Sequence, residues 1–355
     1  MVGEDNPARR MTRPAYVLPT LAEIAAVQPN GHVAASLFAG MGGSSTGYRI
    51  AGYRIGYACE FTTAAADTYA ANMAPGTVLD RRDVRQVTGA DILAATGPDL
   101  ALLDGSPPCD PFSTSGKGDA AWGKTRDYLG EHKQRTDDLY PEFARLVAET
   151  RPRVFVAENV TGLIKGRARG YFLALLPKLR DPGYRVAAKV LDASWLGVPQ
   201  MRQRVIIVGV RNDLRHDPVF PAPLGYRRVL REALDAAVPD PDDPEPAPLS
   251  PQLAAEWHRM RRAGIYNSSK FLNLKRGNLN APGYTITGLA GTRAGPCHPS
   301  EPRRFTIAEL RQIGSVPVDY VLTGDYAQQC QRIGQSVPPL MAAAIGRALL
   351  PVLSR

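Results

Sequence analysis

Three short stretches of this chain carry residue types that can do chemistry together. In Asp104-Gly-Ser-Pro-Pro-Cys109-Asp-Pro-Phe-Ser113 a lone cysteine follows two prolines. Proline fixes φ and removes a backbone donor, so the thiol is presented in one direction. A thiolate is the nucleophilic form. With a free-thiol pKa near 8.5, roughly a few per cent is ionised at neutral pH, and a nearby cation raises that fraction. A buried structural cysteine is the ordinary alternative; the prolines before it and the polar, glycine-rich loop after it argue against burial. In Ala157-Glu158-Asn159-Val160 an apolar run ends in a carboxylic acid. Such an acid, partly removed from water, can donate a proton near neutral pH, or it simply caps the run. In Gln200-Met-Arg202-Gln-Arg204 two arginines stand two residues apart, which on a strand is one face. They can meet a phosphate, a base edge or a carboxylate, or form a polar surface.

A fourth stretch suits a cofactor. Ser36-Leu-Phe-Ala-Gly-Met-Gly-Gly43 follows an apolar run, and its glycines allow a tight turn close to a ligand. Glu60 ends the next run, where an acid can accept bonds from ribose hydroxyls. Asp83 follows a further short run and can accept from an adenine amino group. Singly, each acid reads as a solvated carboxylate; together they favour an adenosine-type cofactor.

The elements that must position these residues follow from patterning. Apolar runs at 33–38, 54–60, 99–105, 153–159, 184–191 and 204–210 alternate with helix-like stretches at 63–73 and 137–150. Alternation predicts an α/β fold, a Rossmann-like open and mostly parallel sheet, with ligands at the carboxyl ends of its strands. Residues 1–30 read as an N-terminal extension, 31–210 as a catalytic and cofactor-binding domain, and 211–302 as a smaller, irregular domain with a linker-like stretch at 239–248. Residues 303–355 read as a segment returning to the first domain, with helical patterns at 305–314 and 338–350.

Bulk composition narrows the function classes. The 355 residues are 44% hydrophobic and 22% charged, which is ordinary for a folded chain and excludes a disordered one. The net charge of +9 favours a polyanionic partner. Four dispersed cysteines with no C-x-x-C pair argue against a zinc site and a disulfide framework, and fit a reducing cytoplasm. No signal core or long apolar run suggests a membrane. No metal is expected.

The order SLFAGMGG, Glu60, Asp83, PPC-x-x-FS, ENV, Q-x-R-x-R and GQSVPP (334–339) resembles the cytosine-5 DNA methyltransferases over roughly 33–210 and 303–350. The resemblance implies S-adenosylmethionine as methyl donor, bound by Phe38, Gly40, Met41, Gly42, Glu60, Phe61, Asp83, Pro107, Leu139, Gln335, Ser336 and Val337. It implies that Cys109 attacks carbon 6 of cytosine, that Glu158 bonds the N3 edge, that Arg204 holds the base from its O2 side and that Arg202 helps order the site. Double-stranded DNA is the implied partner, with the target base flipped out.

Ser113, Lys117 and Arg126 in the loop after Cys109 are expected to meet DNA. So are Gln200 and, in the target-recognition domain at 211–302, Lys270, Lys275, Arg276, Thr285 and Thr287. A monomer is expected, with a restriction endonuclease as a candidate biological partner. The chain departs from the family at Ser36, usually Asp, and at Gln335, usually Asn; both bear on cofactor affinity. Two alternatives stay open: the same chemistry on tRNA, and a catalytically silent DNA-binding relative.

Overall fold

A computed structural model describes residues 13–108, 138–166, 168–271, 273–288, 290–291 and 295–354, with the backbone of 126–128 and 132–134. The first apolar run forms β1 (Val33–Leu37), and the turn after it opens α2 (Gly43–Ile50); a short helix, α1 (Leu21–Ala25), precedes both. Then come β2 (Arg54–Cys59), α3 (Thr63–Asn72), β3 (Val78–Asp80), α4 (Gly89–Thr96) and β4 (Leu102–Gly105). A short antiparallel pair, β5 (Arg126–Tyr128) and β6 (His132–Gln134), precedes α5 (Leu139–Thr150). The wall closes with β7 (Val154–Val160), α6 (Ala168–Arg180), β8 (Tyr184–Asp192) and β9 (Gln203–Arg211).

Seven of these strands make one sheet in the order β3-β2-β1-β4-β7-β9-β8. All pairings from β3 to β7 are parallel; β9 alone runs antiparallel to both its neighbours. Central strands buried on both faces explain the near-continuous apolar runs. Alternate residues feed two cores. Leu103, Phe155 and Ile207 pack with Ile92, Phe143 and Leu175 from α4, α5 and α6. Leu102, Val156 and Ile206 pack on the other face with Tyr48 of α2 and with Met341, Ile345 and Leu349. Those last three belong to α11 (Pro339–Leu353), so the C-terminal helix does return to the sheet. Gly47 lets it approach: a Cβ there would stand 2.3 Å from the Pro339 carbonyl oxygen.

Residues between β9 and α11 build further cores. Leu230 and Ala233 of α7 (Leu230–Asp235) pack with α9 (Ile307–Ile313) and α10 (Tyr326–Gln335), and Tyr16 and Leu18 of the N-terminal extension join them. A separate cluster surrounds Trp257, fully buried on α8 (Pro251–Arg262), with Leu249, Met260, Leu274 and Cys297. Trp257 Nε1 donates to the His298 carbonyl at 3.0 Å. Two-residue strands β10 (Lys275–Arg276) and β11 (Pro296–Cys297) pair beside it.

Two features differ from expectation. The region 211–302 contains a twelve-residue helix, α8, because one buried tryptophan can organise a helix whose other face is charged. Helix α10 was not anticipated; its sequence, YAQQCQRIGQ, is polar apart from a narrow stripe that meets the third core. The stretch Tyr326–Leu353 has the length and hydropathy of a membrane span. It is two helices broken at 336–338, and much of its apolar surface lies inside the protein.

Candidate active site

The glycine-rich turn leaves β1 through Phe38, Gly40 and Gly42, all at positive φ (54°, 56° and 95°). Positive φ is rare for a residue with a side chain, so Phe38 marks strain held by its surroundings. Gly42 has no room for a side chain: a Cβ would lie 2.8 Å from the Tyr320 hydroxyl. Glu60, just past β2, fixes this turn. One carboxylate oxygen accepts from the Gly40 amide and the other from the Thr62 amide, each at 2.8 Å. Burial pushes the Glu60 carboxyl up, and these bonds together with the charge of Arg332 oppose the rise. The Thr62 side chain also bonds this carboxylate, and a carboxylate's roughly four acceptor sites leave room for a ligand hydroxyl.

These residues wall a cleft of about 790 Å³, part of it open to solvent. Of the residues assigned to the cofactor from the sequence, Phe38, Gly40, Met41, Glu60, Phe61, Asp83, Leu139, Gln335 and Ser336 line it. Gly42, Pro107 and Val337 do not. Gly42 caps α2 against Tyr320. The Pro107 carbonyl is taken by Asn159, and Val337 is buried with its carbonyl against Gly43. Asp83 is engaged by Arg85, which also grips Asp138. Sequence reading missed Thr62, Arg82, Ser106, Pro108 and Arg332 on the wall. Arg332 stands two residues before the GQSVPP motif, on the unanticipated α10.

Glu158 lies near the carboxyl end of β7, two residues before Val160. Arg204, at the start of β9, lies diagonally across the antiparallel pair: it is the register partner of Val160, two residues on, and its Nε stands 2.8 Å from Glu158 Oε1. The pair is mostly buried, with side-chain exposures of 15% and 12%. The close approach is an ion pair without hydrogen-bond alignment, and buried Oε1 accepts no hydrogen bond among the described residues. An acceptor so placed is a position for a polar ligand edge.

Asn159, the next residue, donates through Nδ2 to the Pro107 carbonyl at 2.9 Å. It thereby ties the strand carrying Glu158 to the prolines that precede Cys109. Cys109, Ser113, Lys117 and the side chain of Arg126 lie outside the described residues.

Arg202 and Arg204 part company. Arg202 lies before β9 begins, is 2% exposed, and donates to the carbonyls of Ile286 (3.1 Å) and Gly334 (2.9 Å). Burial, then the charge of Arg204, brings its pKa down to about 9. It fastens α10 and the 283–287 loop to the sheet rather than facing a base. Gln200 was expected to meet DNA and is instead buried, its amide spent on Ile313 and Ile286. The Thr285 hydroxyl is likewise spent on the Met201 carbonyl. Thr287 and Lys270 are exposed; Lys275 sits over the Tyr284 ring, and Arg276 over Tyr266.

Beneath the site, Asp104 is buried and accepts from Ser36 Oγ (3.2 Å) and the Tyr48 hydroxyl (2.9 Å). Burial pushes its carboxyl up to about 7, against the hydroxyls of Tyr48, Ser36 and Ser44, which hold it down. Ser36 and Asp104 are register partners in β1 and β4. The serine thus faces this interior carboxyl, and an aspartate there would crowd two acids together.

A family model for the C-5 cytosine-specific DNA methylases matches residues 33–350. The chain belongs to that family. Among related methylases, the type II methyltransferase M.PspPI of Psychrobacter sp. (strain TA137) is 32% identical, covering 93% of this chain and 82% of the relative. M.SacI of Streptomyces achromogenes, also a type II methyltransferase, is 30% identical over 84% and 85%. Solved structures share the fold. A putative DNA modification methyltransferase of an E. coli prophage superposes with TM-score 0.69 at 22% identity, covering 92% of this chain and all of that one. A Spodoptera frugiperda DNMT2 variant does so with TM-score 0.65 at 21%, again covering 92% and all.

Proposed function

We propose that this methylase transfers the methyl group of S-adenosylmethionine to carbon 5 of a cytosine flipped out of duplex DNA. The observation that carries the reading is the buried Glu158–Arg204 pair at the strand end beside the cleft, with Asn159 gripping the backbone two residues before Cys109.

The cleft fits this donor. Glu60 offers a carboxylate to ribose hydroxyls, Phe38, Phe61, Val84 and Leu139 offer apolar surface to a purine, and Arg332 and Ser336 offer polar contacts to an amino-acid end. When bound, the donor supplies an electrophilic methyl on a sulfonium.

Carbon 5 of cytosine is a poor nucleophile. The Cys109 thiolate adds to carbon 6, forming an S–C6 bond and making carbon 5 electron-rich. Glu158 bonds the N3 and amino edge through its open acceptor, and Arg204 holds the opposite side of the base. Carbon 5 then takes the methyl group, a base removes the carbon 5 proton, and the S–C6 bond breaks to restore the ring and the thiolate. The relatives named above are type II methyltransferases, which supports a role in protecting DNA from a partner endonuclease.

The test is methyl transfer from labelled S-adenosylmethionine to unmethylated genomic DNA, with bisulfite sequencing of the product and Cys109→Ser as control. Cytosine-5 methylation in one sequence context, absent from the variant, is the expected result. Transfer to tRNA and none to DNA would overturn the choice of substrate.

A further inference from the structure

We propose that a second polar cavity, outside the cofactor cleft, is a phosphate-binding site that holds a backbone phosphodiester of the DNA within about one helical turn of the target base. The proposal rests on the DNA-methyltransferase reading above. Arg231 of α7, Arg261 of α8, Tyr266, Arg276 of β10, Asn278 and Asn280 line it, around about 530 Å³ of space partly open to solvent. No carboxylate is in its wall.

Among the described residues no acid compensates the charge here, whereas several other arginines of the same lobe pair with acids. Arg228 pairs with Glu232, Arg259 with Glu256, Arg303 with Glu301 and Glu309, and Arg311 with Asp243. Among the described residues, Arg231, Arg261 and Arg276 form no ion pair. Neutral groups hold them instead. Arg276 donates to the Pro299 carbonyl (3.0 Å) and lies 4.7 Å from the Tyr266 ring centroid. Arg261 donates to the Ser300 carbonyl (3.0 Å) and stacks on Trp257. Arg231 reaches Asn280 Oδ1 at 3.5 Å. Three guanidinium groups are therefore oriented without a carboxylate partner, and further N–H groups remain for an anion's oxygens.

Chain connectivity sets the site's distance from the chemistry. Asn280 is three residues from Gly283, whose carbonyl accepts from the Met201 amide, and Met201 is three residues from Arg204. Extended chain covers about 3.5 Å per residue, so the cavity lies no more than roughly 30 Å from Arg204, within about one turn of duplex. A duplex whose target base occupies the Glu158 site has backbone phosphates at that range.

The experiment measures DNA affinity of the full-length protein by fluorescence anisotropy across a salt series, for wild type, Arg231→Gln/Arg261→Gln and Arg231→Lys/Arg261→Lys. S-adenosylhomocysteine affinity and inorganic pyrophosphate binding are measured by calorimetry on the same proteins. Neutralising a phosphate contact lowers the slope of log K against log salt by about one. The expected result is a DNA affinity at least about tenfold weaker at low salt and a slope reduced by about one to two in the glutamine variant. The lysine variant should keep most of the slope, and S-adenosylhomocysteine affinity should stay unchanged in all three.

An unchanged DNA slope with pyrophosphate binding lost in the glutamine variant would overturn the DNA assignment in favour of a free phosphate ligand. No change in either would overturn the site. Failure of wild type to bind DNA at all would instead remove the underlying functional reading.

Discussion

At the scale of single residues, the site's chemistry depends on how a few polar atoms are held. Glu158 keeps one buried oxygen without a hydrogen bond beside Arg204. Glu158→Gln keeps the shape and removes the charge. It should lower the single-turnover methylation rate by about 10²–10⁴-fold, the usual worth of a positioned acid–base group, while S-adenosylhomocysteine affinity stays within twofold (roughly RT ln 2, a small change). Equal losses in both would assign Glu158 a structural role only. Gln335 lines the cofactor cleft near Gly288, so Gln335→Asn should shift the KM for the donor more than the Kd for DNA. Matching donor titrations for the two proteins would remove that link.

Asp104 supplies a pH signature. Its carboxyl is raised from an ordinary 3.8 to about 7. Between those values the folded chain keeps a proton that the unfolded chain has released. Stability therefore falls as pH rises through this window, and the loss is complete above about pH 7. Asp104→Asn carries no such proton, so denaturation between about pH 5 and pH 8 should show a flatter pH dependence for the variant. Parallel curves would mean that Asp104 does not titrate there.

At the scale of elements, the cofactor wall is assembled from distant parts of the chain. Helix α2 follows the glycine-rich turn directly, and α11 follows the Gln335–Val337 segment directly; the two helices pack at Gly47. A Cβ at Gly47 meets backbone, which cannot rotate away. Gly47→Ala should therefore destabilise the protein by about 1–3 kcal/mol, the ordinary cost of overpacking. It should also weaken S-adenosylhomocysteine binding more than DNA binding, because α2 and α11 are joined directly to Met41 and to Gln335–Ser336 on the cleft wall. Calorimetry and melting on the same sample check both. Preserved melting and affinity would show that α11 tilts without strain.

At the scale of the whole molecule, the sheet and the Trp257 cluster are separate hydrophobic cores. Trp257→Ala removes a fully buried indole and its bond to His298, a loss of about 3–5 kcal/mol at such sites. Because the cofactor cleft is built on the other cores, the variant should still bind S-adenosylhomocysteine while losing DNA affinity and methylation. Loss of cofactor binding at the same temperature would show that the cores unfold as one unit.

Much of this was legible in the sequence by itself. Apolar runs that must be buried on both faces announced the parallel sheet, and the glycine-rich turn, Glu60, Glu158 and Arg204 fell at its strand ends because strands carry their termini to one edge. What only the tertiary structure decided were contacts between residues far apart in the chain. Gln200, Arg202 and Thr285 look like DNA-facing polar residues in a linear reading, yet their side chains are spent on carbonyl and amide groups of other segments. Arg332 lies on a helix whose apolar stripe, Tyr326, Cys330 and Ile333, has helical spacing but is narrow and set in a polar sequence; packing of that stripe against the third core brings Arg332 to the cleft. Asn159 gave no sign of binding the Pro107 carbonyl, since that bond exists only where β4 and β7 lie side by side. Patterning fixes which residues leave water; which polar atoms then find each other depends on three-dimensional proximity, and no local period encodes it.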